Sequence, residues 1–184
     1  MVETLFYAKE EFNDDLLILY SDIMISKNII NILVESKQDI SVCVDVDWKD
    51  LHKLRFADIS EDLESCSINS EGFITDIGAA NPIVDDVDGR YFGAIRLSPR
   101  GCDVFKAFYH EEINKGDMPR KWMRGRDFDS IFMTDFLQGL IENGYSVGAV
   151  KCNRGWLEFD SEDDLKCYKL LESSKRLHEF VATQ

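Results

Sequence analysis

Short apolar runs typical of β-strands recur along the chain and are separated by stretches with helical periodicity. The strand-like runs cover residues 16–20, 40–46, 72–78, 90–98, 145–150 and 156–159. The helical patterns cover residues 26–36, 99–114 and 129–143, with a last helix beginning at the capping-box pair Ser161 and Asp164. Strands that alternate with helices in this way predict an α/β fold, in which helices cover both faces of a sheet.

The character of each run predicts its place in that sheet. Residues 16–20 and 40–46 are almost continuously apolar, as expected for interior strands, whereas residues 72–78 and 90–98 carry polar side chains and glycines and are expected nearer an edge. We therefore expect a mixed sheet that is mainly parallel at its centre, within one domain over residues 1–184. Three stretches are expected to be loops: residues 57–71, 79–89 and 115–128.

The acidic balance of the chain argues against several classes of partner. It has 21 basic and 35 acidic residues, and 21 − 35 gives a net charge of −14. This charge predicts no nucleic-acid partner and no anionic membrane surface, and it favours a bound cation. No segment approaches the roughly 20 apolar residues of a membrane span.

The N-terminal residues and the cysteines predict a cytoplasmic protein. Residues 1–15 are acidic where a secretory signal would be basic and then apolar. The five cysteines are odd in number and form no C-x-x-C pair, so neither a disulfide framework nor a zinc knuckle is indicated. The histidines are scattered and show no metal-binding spacing: His52, His110 and His178.

Three carboxylates follow or end predicted strands. Asp22 comes two residues after the run 16–20, and Glu158 and Asp160 are two apart, so that their side chains share one face of a strand. Ligands of open α/β sheets gather beyond the carboxyl ends of strands, and magnesium prefers carboxylate oxygens supplemented by substrate phosphates. These residues are candidate Mg²⁺ ligands. The alternatives are a helix cap at Asp22 and a solvated acidic strand face at Glu158 and Asp160.

Two further charged patterns are weaker candidates. Asp45 and Asp47 in "VCVDVDW" resemble the D-x-D of metal-dependent glycosyltransferases, although so short a pattern also arises by chance. The segment 119–126, "PRKWMRGR", places four basic residues around Trp122. Its arginines, including Arg124 and Arg126, could clamp an anionic substrate group, because a guanidinium matches phosphate-type oxygens. A solvated loop is the alternative.

Glycine-rich phosphate-binding loops cannot be built from this sequence. The first glycine is Gly72, and no two glycines stand in a G-x-G pattern. Neither a dinucleotide-binding fingerprint nor a Walker-type loop is therefore indicated.

Four segments together resemble a sugar-nucleotidyltransferase-like family: residues 17–48, 72–83, 90–105 and 133–165. The resemblance is to its branch of phosphocholine cytidylyltransferases and phosphonate-associated nucleotidyltransferases, and it covers about residues 5–172. It implies a three-layer Rossmann-like mixed sheet, the nucleotidyltransferase fold. It also implies transfer of a nucleotide, with CTP favoured, to a phosphorylated or phosphonylated small acceptor such as phosphocholine or 2-aminoethylphosphonate, with release of pyrophosphate.

The resemblance assigns roles to individual residues. Asp22 in "YSDI" matches a metal-binding Asp, and Glu158 and Asp160 in "WLEFD" match the acidic site that completes the magnesium coordination. Asp135 in "MTDFLQ" matches an acidic position that lines the acceptor pocket, and Trp156 would form a wall of that pocket. From helical periodicity alone, Asp135 would be a solvated residue, and Trp156 would equally suit the core.

The sequence also departs from the family pattern. Family members open with a strand, a glycine-rich loop and a Pro-Lys element that together hold the triphosphate, and none of these precedes residue 16 here. The resemblance therefore implies an N-terminally incomplete fold with an exposed sheet edge, which invites self-association or a partner chain. The alternative function is a non-catalytic module that binds the acceptor.

Overall fold

The computed structural model describes residues 1–116 and 121–181. The strands are β1 (Leu16–Leu19), β2 (Ile23–Ile25), β3 (Ile40–Asp45), β4 (Ser65–Ile68), β5 (Ile74–Ile77), β6 (Gly89–Leu97), β7 (Gly148–Cys152) and β8 (Trp156–Glu158). The α-helices are α1 (Val2–Phe6), α2 (Lys27–Val34), α3 (Lys49–Arg55), α4 (Pro99–Asn114), α5 (Met133–Glu142) and α6 (Glu162–Ser173). Short 3₁₀ turns complete several of the connections.

The main sheet has the strand order β5-β4-β6-β3-β7, and β1 also pairs with β6. Strand β6 runs antiparallel to β1, β3 and β4, whereas β3 and β7 are parallel. The expectation of a mainly parallel centre is therefore wrong, because the long strand β6 occupies the centre and opposes each of its neighbours. Strands β2 and β8 form a separate antiparallel pair.

Two predicted strand positions are exchanged in the structure. The run 90–98 was expected near an edge, but β6 is central and almost wholly buried. The run 16–20 was expected in the interior, but β1 pairs only with β6 and its residues alternate between half-buried and exposed. The predictions were wrong because they rested on apolar content alone. The leucines and isoleucine of β1 lie at an edge of the sheet, whereas the polar residues of β6 lie in the interior because other strands pair with β6 on both sides.

Helices cover both faces of the sheet, as predicted. The β6 side chains of Tyr91 and Ile95 join one apolar cluster with α4 and α5, whereas Phe92 and Ala94 join a second cluster with α2, α3 and α6. This division follows from the alternation of side chains along a strand. Helix α4 has the predicted bounds, and Ser161 and Asp164 form the predicted capping box of α6.

Several elements lay outside the sequence predictions. Strand β4 lies within the stretch 57–71 that was expected to be a loop, and α3 and β2 had no predicted counterpart. Each is a short element of three to seven residues, which is too short for a strong periodic signal. Among the described residues, no helix has the length and apolar character needed to cross a membrane.

Candidate functional site

The candidate site lies at a gap between two strands that share one edge of β6. Strand β3 pairs along one edge of β6. Strands β1 and β4 therefore both pair along the opposite edge of β6, one after the other. At the gap, the Tyr20 N–H donates to the Gly93 carbonyl at 3.0 Å, and the Tyr91 N–H donates to the Glu64 carbonyl at 2.9 Å. The chain leaving β1 through Tyr20 and the chain entering β4 through Glu64 therefore meet beside Tyr91 and Gly93.

The gap depends on close packing of Tyr20 against β6. Gly93 has a φ of +86°, and a Cβ atom at this position would overlap the Tyr20 ring. The Tyr20 ring also meets the Tyr91 ring edge to face, with centroids 5.9 Å apart. Only glycine satisfies both the backbone angle and the contact.

Asp22 lies beside the second acidic segment because β2 pairs with β8. Ile23 stands opposite Glu158, and the Phe159 N–H donates to the Asp22 carbonyl at 2.9 Å. Asp22 is exposed. Burial raises the pKa of Asp160, and the carboxylates of Glu158 and Asp22 raise it further against the opposing effect of Arg55.

Two buried arginines bind the acidic segment. Arg55, the last residue of α3, donates to Glu158 and Asp160, and its Nε donates to Asp164 Oδ1 at 2.7 Å. Arg90 Nη2 donates to the same Glu158 oxygen, Oε2, at 2.8 Å. Burial opposes ionisation of Asp164, but hydrogen bonds from Arg55 and Ser161 hold the pKa of Asp164 below its usual value. Arg55 therefore favours the ionised form of Asp164 despite the burial of that carboxyl.

Two more carboxylates, from the stretch before β4, interact electrostatically with Arg90 and Glu158. Burial and the neighbouring acids raise the pKa of Glu64 to about 8, although Arg90 acts to lower it. Asp62 has a φ of +50°, an uncommon angle for a residue other than glycine. Arg90 acts to lower the pKa of the Asp62 carboxyl, and Glu158 acts to raise it. Asp62, Glu64, Arg55 and Arg90 were all missed from sequence. The one available signal was Arg90 itself, a charged residue at the start of an apolar strand run.

Two carboxylates, rather than the three expected from the sequence, have oxygens that could bind magnesium. Among the described residues, no group of three His, Cys, Asp or Glu side chains is arranged to hold a metal ion. Glu158 is bound by both arginines, whereas Asp22 is exposed and Asp160 accepts from Arg55 through Oδ2 alone. Magnesium usually takes one or two protein carboxylates together with water and substrate phosphates. Asp22 and Asp160 are therefore the residues with oxygens available to such an ion.

The structure brings Asp135, Arg124 and Arg126 together, but they bind one another. Asp135 is 1% exposed and accepts the Phe132 N–H at 2.9 Å at the N-terminus of α5. Arg124 Nη1 and Arg126 Nε each lie 3.2 Å from its carboxylate. Asp135 is thus buried and paired, not solvated as periodicity alone suggested. The predicted basic segment also includes Pro119 and Arg120, which lie outside the described residues.

Trp156 lies in the core. Its ring is 0% exposed and stacks on Phe92 with centroids 4.4 Å apart, and its Nε1 donates to Asp45 Oδ2 at 2.9 Å. The Arg90 guanidinium lies 5.1 Å from the ring centroid on the site side. Trp156 therefore supports Arg90 and offers no surface of its own to a pocket.

Asp45 and Asp47 of the D-x-D pattern form hydrogen bonds and an ion pair within the protein. Asp45 is buried, and its Oδ1 accepts the backbone N–H groups of Asp47 and Arg154 at 2.9 and 3.0 Å. Asp47 forms an ion pair with Arg154 at 2.7 Å. Burial raises the pKa of Asp45 against these hydrogen bonds. Both carboxylates are occupied by the loop that precedes β8, which leaves no open pair of oxygens for a sugar-nucleotide metal.

A cavity of about 630 Å³ adjoins Asp22. Its walls come from α1, from the end of β1 and from Met133 at the start of α5, and they are mainly apolar. Tyr20 and Asp22 therefore face a space large enough for a small organic molecule.

Comparisons with known proteins point to one family. No protein-family model matches the chain. The chain is 30% identical over 172 residues to the CTP:phosphoglutamine cytidylyltransferase of Campylobacter jejuni, a match that covers 90% of this chain and 66% of that protein.

Solved structures share the fold. The inositol-1-phosphate CTP transferase from T. maritima superposes with a TM-score of 0.62 at 17% identity, over 98% of this chain and 64% of its own. The nucleoside-diphosphate-sugar pyrophosphorylase from Vibrio cholerae RC9 superposes with a TM-score of 0.55 at 13% identity, over 90% of this chain and 62% of its own.

The chain thus spans slightly under two thirds of the length of these proteins. The sequence match and the shared fold agree with the resemblance carried by the "YSDI", "MTDFLQ" and "WLEFD" segments. In sequence and in fold, this chain therefore matches a sugar-nucleotidyltransferase-like family.

Proposed function

We propose that this chain takes part in the transfer of a nucleotide from CTP to a phosphorylated or phosphonylated small acceptor, with release of pyrophosphate. The observation that carries the proposal is the sequence match to a cytidylyltransferase along 90% of the chain. The site supports it, because Asp22, a carboxylate that suits a magnesium–nucleotide complex, lines a cavity beside the strand gap.

The reaction needs little covalent chemistry from the protein. An acceptor oxygen forms a bond to the α-phosphorus of CTP, and the bond from that phosphorus to the bridging oxygen of pyrophosphate breaks. Magnesium, when bound, would neutralise charge that develops during this exchange. Asp22 and Asp160 would hold the ion, while Glu158 would act indirectly by fixing Arg55 and Arg90.

The acceptor is assigned to the start of α5. Met133 shares the cavity with Asp22, so this end of the helix lies beside the site. Arg126 is 43% exposed on its side chain and reaches solvent, whereas Asp135 is buried beneath it. We assign Arg124 and Arg126 to the anionic group of the acceptor, with Asp135 holding them in place. Trp156 would contribute by supporting Arg90.

The remaining expectations concern location and partners. All five cysteines are free and four are buried, which suits a reducing compartment, and we place the reaction in the cytoplasm. The outer edge of β1 has no strand partner among the described residues, and we propose that a second copy or a partner chain pairs there.

The function is tested by measuring pyrophosphate release from CTP and Mg²⁺ with phosphocholine, 2-aminoethylphosphonate or phosphoglutamine as the acceptor. We expect turnover with one acceptor, and loss of most of it in Asp22→Asn and Asp160→Asn. Asp163→Asn is the matched control, because Asp163 is exposed on α6, where it pairs with Lys166. Calorimetric binding of an acceptor without any turnover would instead favour the non-catalytic module and contradict the proposed reaction.

A further inference from the structure

Arg55 connects three carboxylates that come from the far end of the sequence. It ends α3, and its side chain is 1% exposed. Its partners Glu158, Asp160 and Asp164 lie more than 100 residues later, on β8, in the turn that follows it and in the first turn of α6. One guanidinium therefore joins α3 to the whole β8–α6 connection.

The three nitrogens of the Arg55 guanidinium together bind three carboxylates. Nη1 donates to Glu158, Nη2 donates to Asp160 and more weakly to Asp164 at 3.4 Å, and Nε donates to Asp164. The planar fork of a guanidinium can hold three acceptors in fixed directions, which a lysine ammonium on its flexible stem cannot do. Charge balance alone does not explain this arrangement, since Arg90 already neutralises Glu158.

The turn that carries Asp160 is held by the same network. The N–H groups of Asp160 and Ser161 donate to Asp164 Oδ2 at 3.1 and 2.9 Å, and Asp164 is itself fixed by Arg55. Arg55 binds Asp160 through Oδ2, and Oδ1 has no hydrogen bond in the described part of the chain. The backbone of Asp22 is bonded to Phe159, one residue before Asp160.

We propose that Arg55 is a positioning residue that orients the Asp160 carboxylate, so that its second oxygen and Asp22 can bind one divalent cation. This inference rests on the proposed function for the identity of the cation. Groups that orient metal ligands without touching the metal typically affect metal affinity by about 10- to 100-fold. A purely structural Arg55 would affect the stability of the fold and leave the affinity of the folded protein unchanged.

The test measures Mn²⁺ affinity by electron paramagnetic resonance, without nucleotide, in folded protein. We expect binding about tenfold or more weaker in Arg55→Met than in the unmodified chain, and an intermediate loss in Arg55→Lys. The lysine variant keeps a charge for the buried Glu158 and Asp164, so it guards against failure to fold. Arg96→Met is the matched control, because Arg96 is a mostly buried arginine that pairs with Asp15 and the Gln38 carbonyl instead.

Equal Mn²⁺ affinity in the unmodified chain and both Arg55 variants would overturn the inference. Absence of Mn²⁺ binding and of pyrophosphate release in the unmodified chain would contradict the proposed function instead. The positioning role is then decided by hydrogen exchange at the Asp160 and Ser161 amides. Exchange about tenfold faster in Arg55→Met than in Arg96→Met would support it, and equal exchange would overturn it.

Discussion

At the scale of single residues, the electrostatics of the candidate site depend on buried charges that are paired with charges of the opposite sign. Glu158 and Asp164 are largely buried carboxylates, and each is tolerated because a guanidinium donates to it. The sequence reveals acids at strand ends, but it does not reveal which cation faces them. The two residues that decide the electrostatics, Arg55 and Arg90, come from segments whose local patterns carry no functional signal.

His52 makes stability sensitive to acid. It is buried, its Nε2 is hydrogen bonded to the Glu61 carbonyl at 2.8 Å, and burial and then Arg90 lower its pKa to about 4. The unfolded chain binds a proton near pH 6.5 while the folded chain stays neutral to about pH 4. The free energy of unfolding therefore falls as the pH drops through this window, by up to about 3 kcal/mol.

Urea titrations of the unmodified chain and of His52→Gln between pH 7 and pH 4 check this prediction. The variant should lose less stability over the window, because it has no proton to take up at this position. Parallel curves for the two proteins would contradict the lowered pKa.

Glu64 is expected to act in the opposite direction. Burial raises its pKa to about 8, so the folded chain retains a proton that the unfolded chain releases above about pH 4.5. Stability therefore declines as the pH rises from 4.5 to 8. Glu64→Gln has no proton to lose. Its thermal midpoint should therefore rise relative to that of the unmodified chain as the pH increases from 4.5 to 8. A constant difference between the two midpoints would show that the carboxyl titrates normally.

At the scale of elements, the strand gap depends on the approach of Tyr20 to β6. Gly93 permits that approach because it has no Cβ atom. The loss of stability caused by a Cβ atom pushing against Tyr20 can be separated from the loss caused by backbone strain. Gly72 has the same φ of +86°, but a Cβ atom there would meet nothing within 4 Å. The two glycines therefore form a matched pair that differs in packing alone.

Gly93→Ala is expected to destabilise the protein by about 3 kcal/mol or more, and Gly72→Ala by about 1 kcal/mol. Both substitutions introduce strain at positive φ, and only the first also forces Tyr20 to move. Chemical denaturation followed by tryptophan fluorescence measures both values. Equal losses would mean that Tyr20 relocates freely and that the gap is not a fixed feature.

At the scale of the whole molecule, the open edge of β1 is the surface most suited to association. Leu19 is 41% exposed there, next to backbone groups that have no strand partner in the part of the chain that the structure describes. Such an edge can template pairing with another chain. The net charge of −14 opposes contact between two copies, so salt should favour association by screening this repulsion.

Sedimentation velocity over a range of protein and salt concentrations checks this expectation. We expect the unmodified chain to associate more at 0.5 M salt than at low salt, and Leu19→Lys to reduce the association several-fold. Leu170→Lys is the control, because Leu170 is 71% exposed and lies on the helix α6 rather than on a strand. An equal effect of the two lysines would indicate that general surface polarity, rather than the β1 edge, controls association.

The sequence by itself determined the features that depend on neighbours within a few residues. These are the α/β class, the bounds of α4 and the capping box of α6, since periodicity and capping act over one or two turns. The tertiary structure decided the strand order, the central place and antiparallel direction of β6, and the meeting of Arg55 and Arg90 with Glu158. Those features join residues up to 107 positions apart, as in the pairing of Ser41 with Gly148. Their energies come from burial and charge pairing that no local pattern encodes.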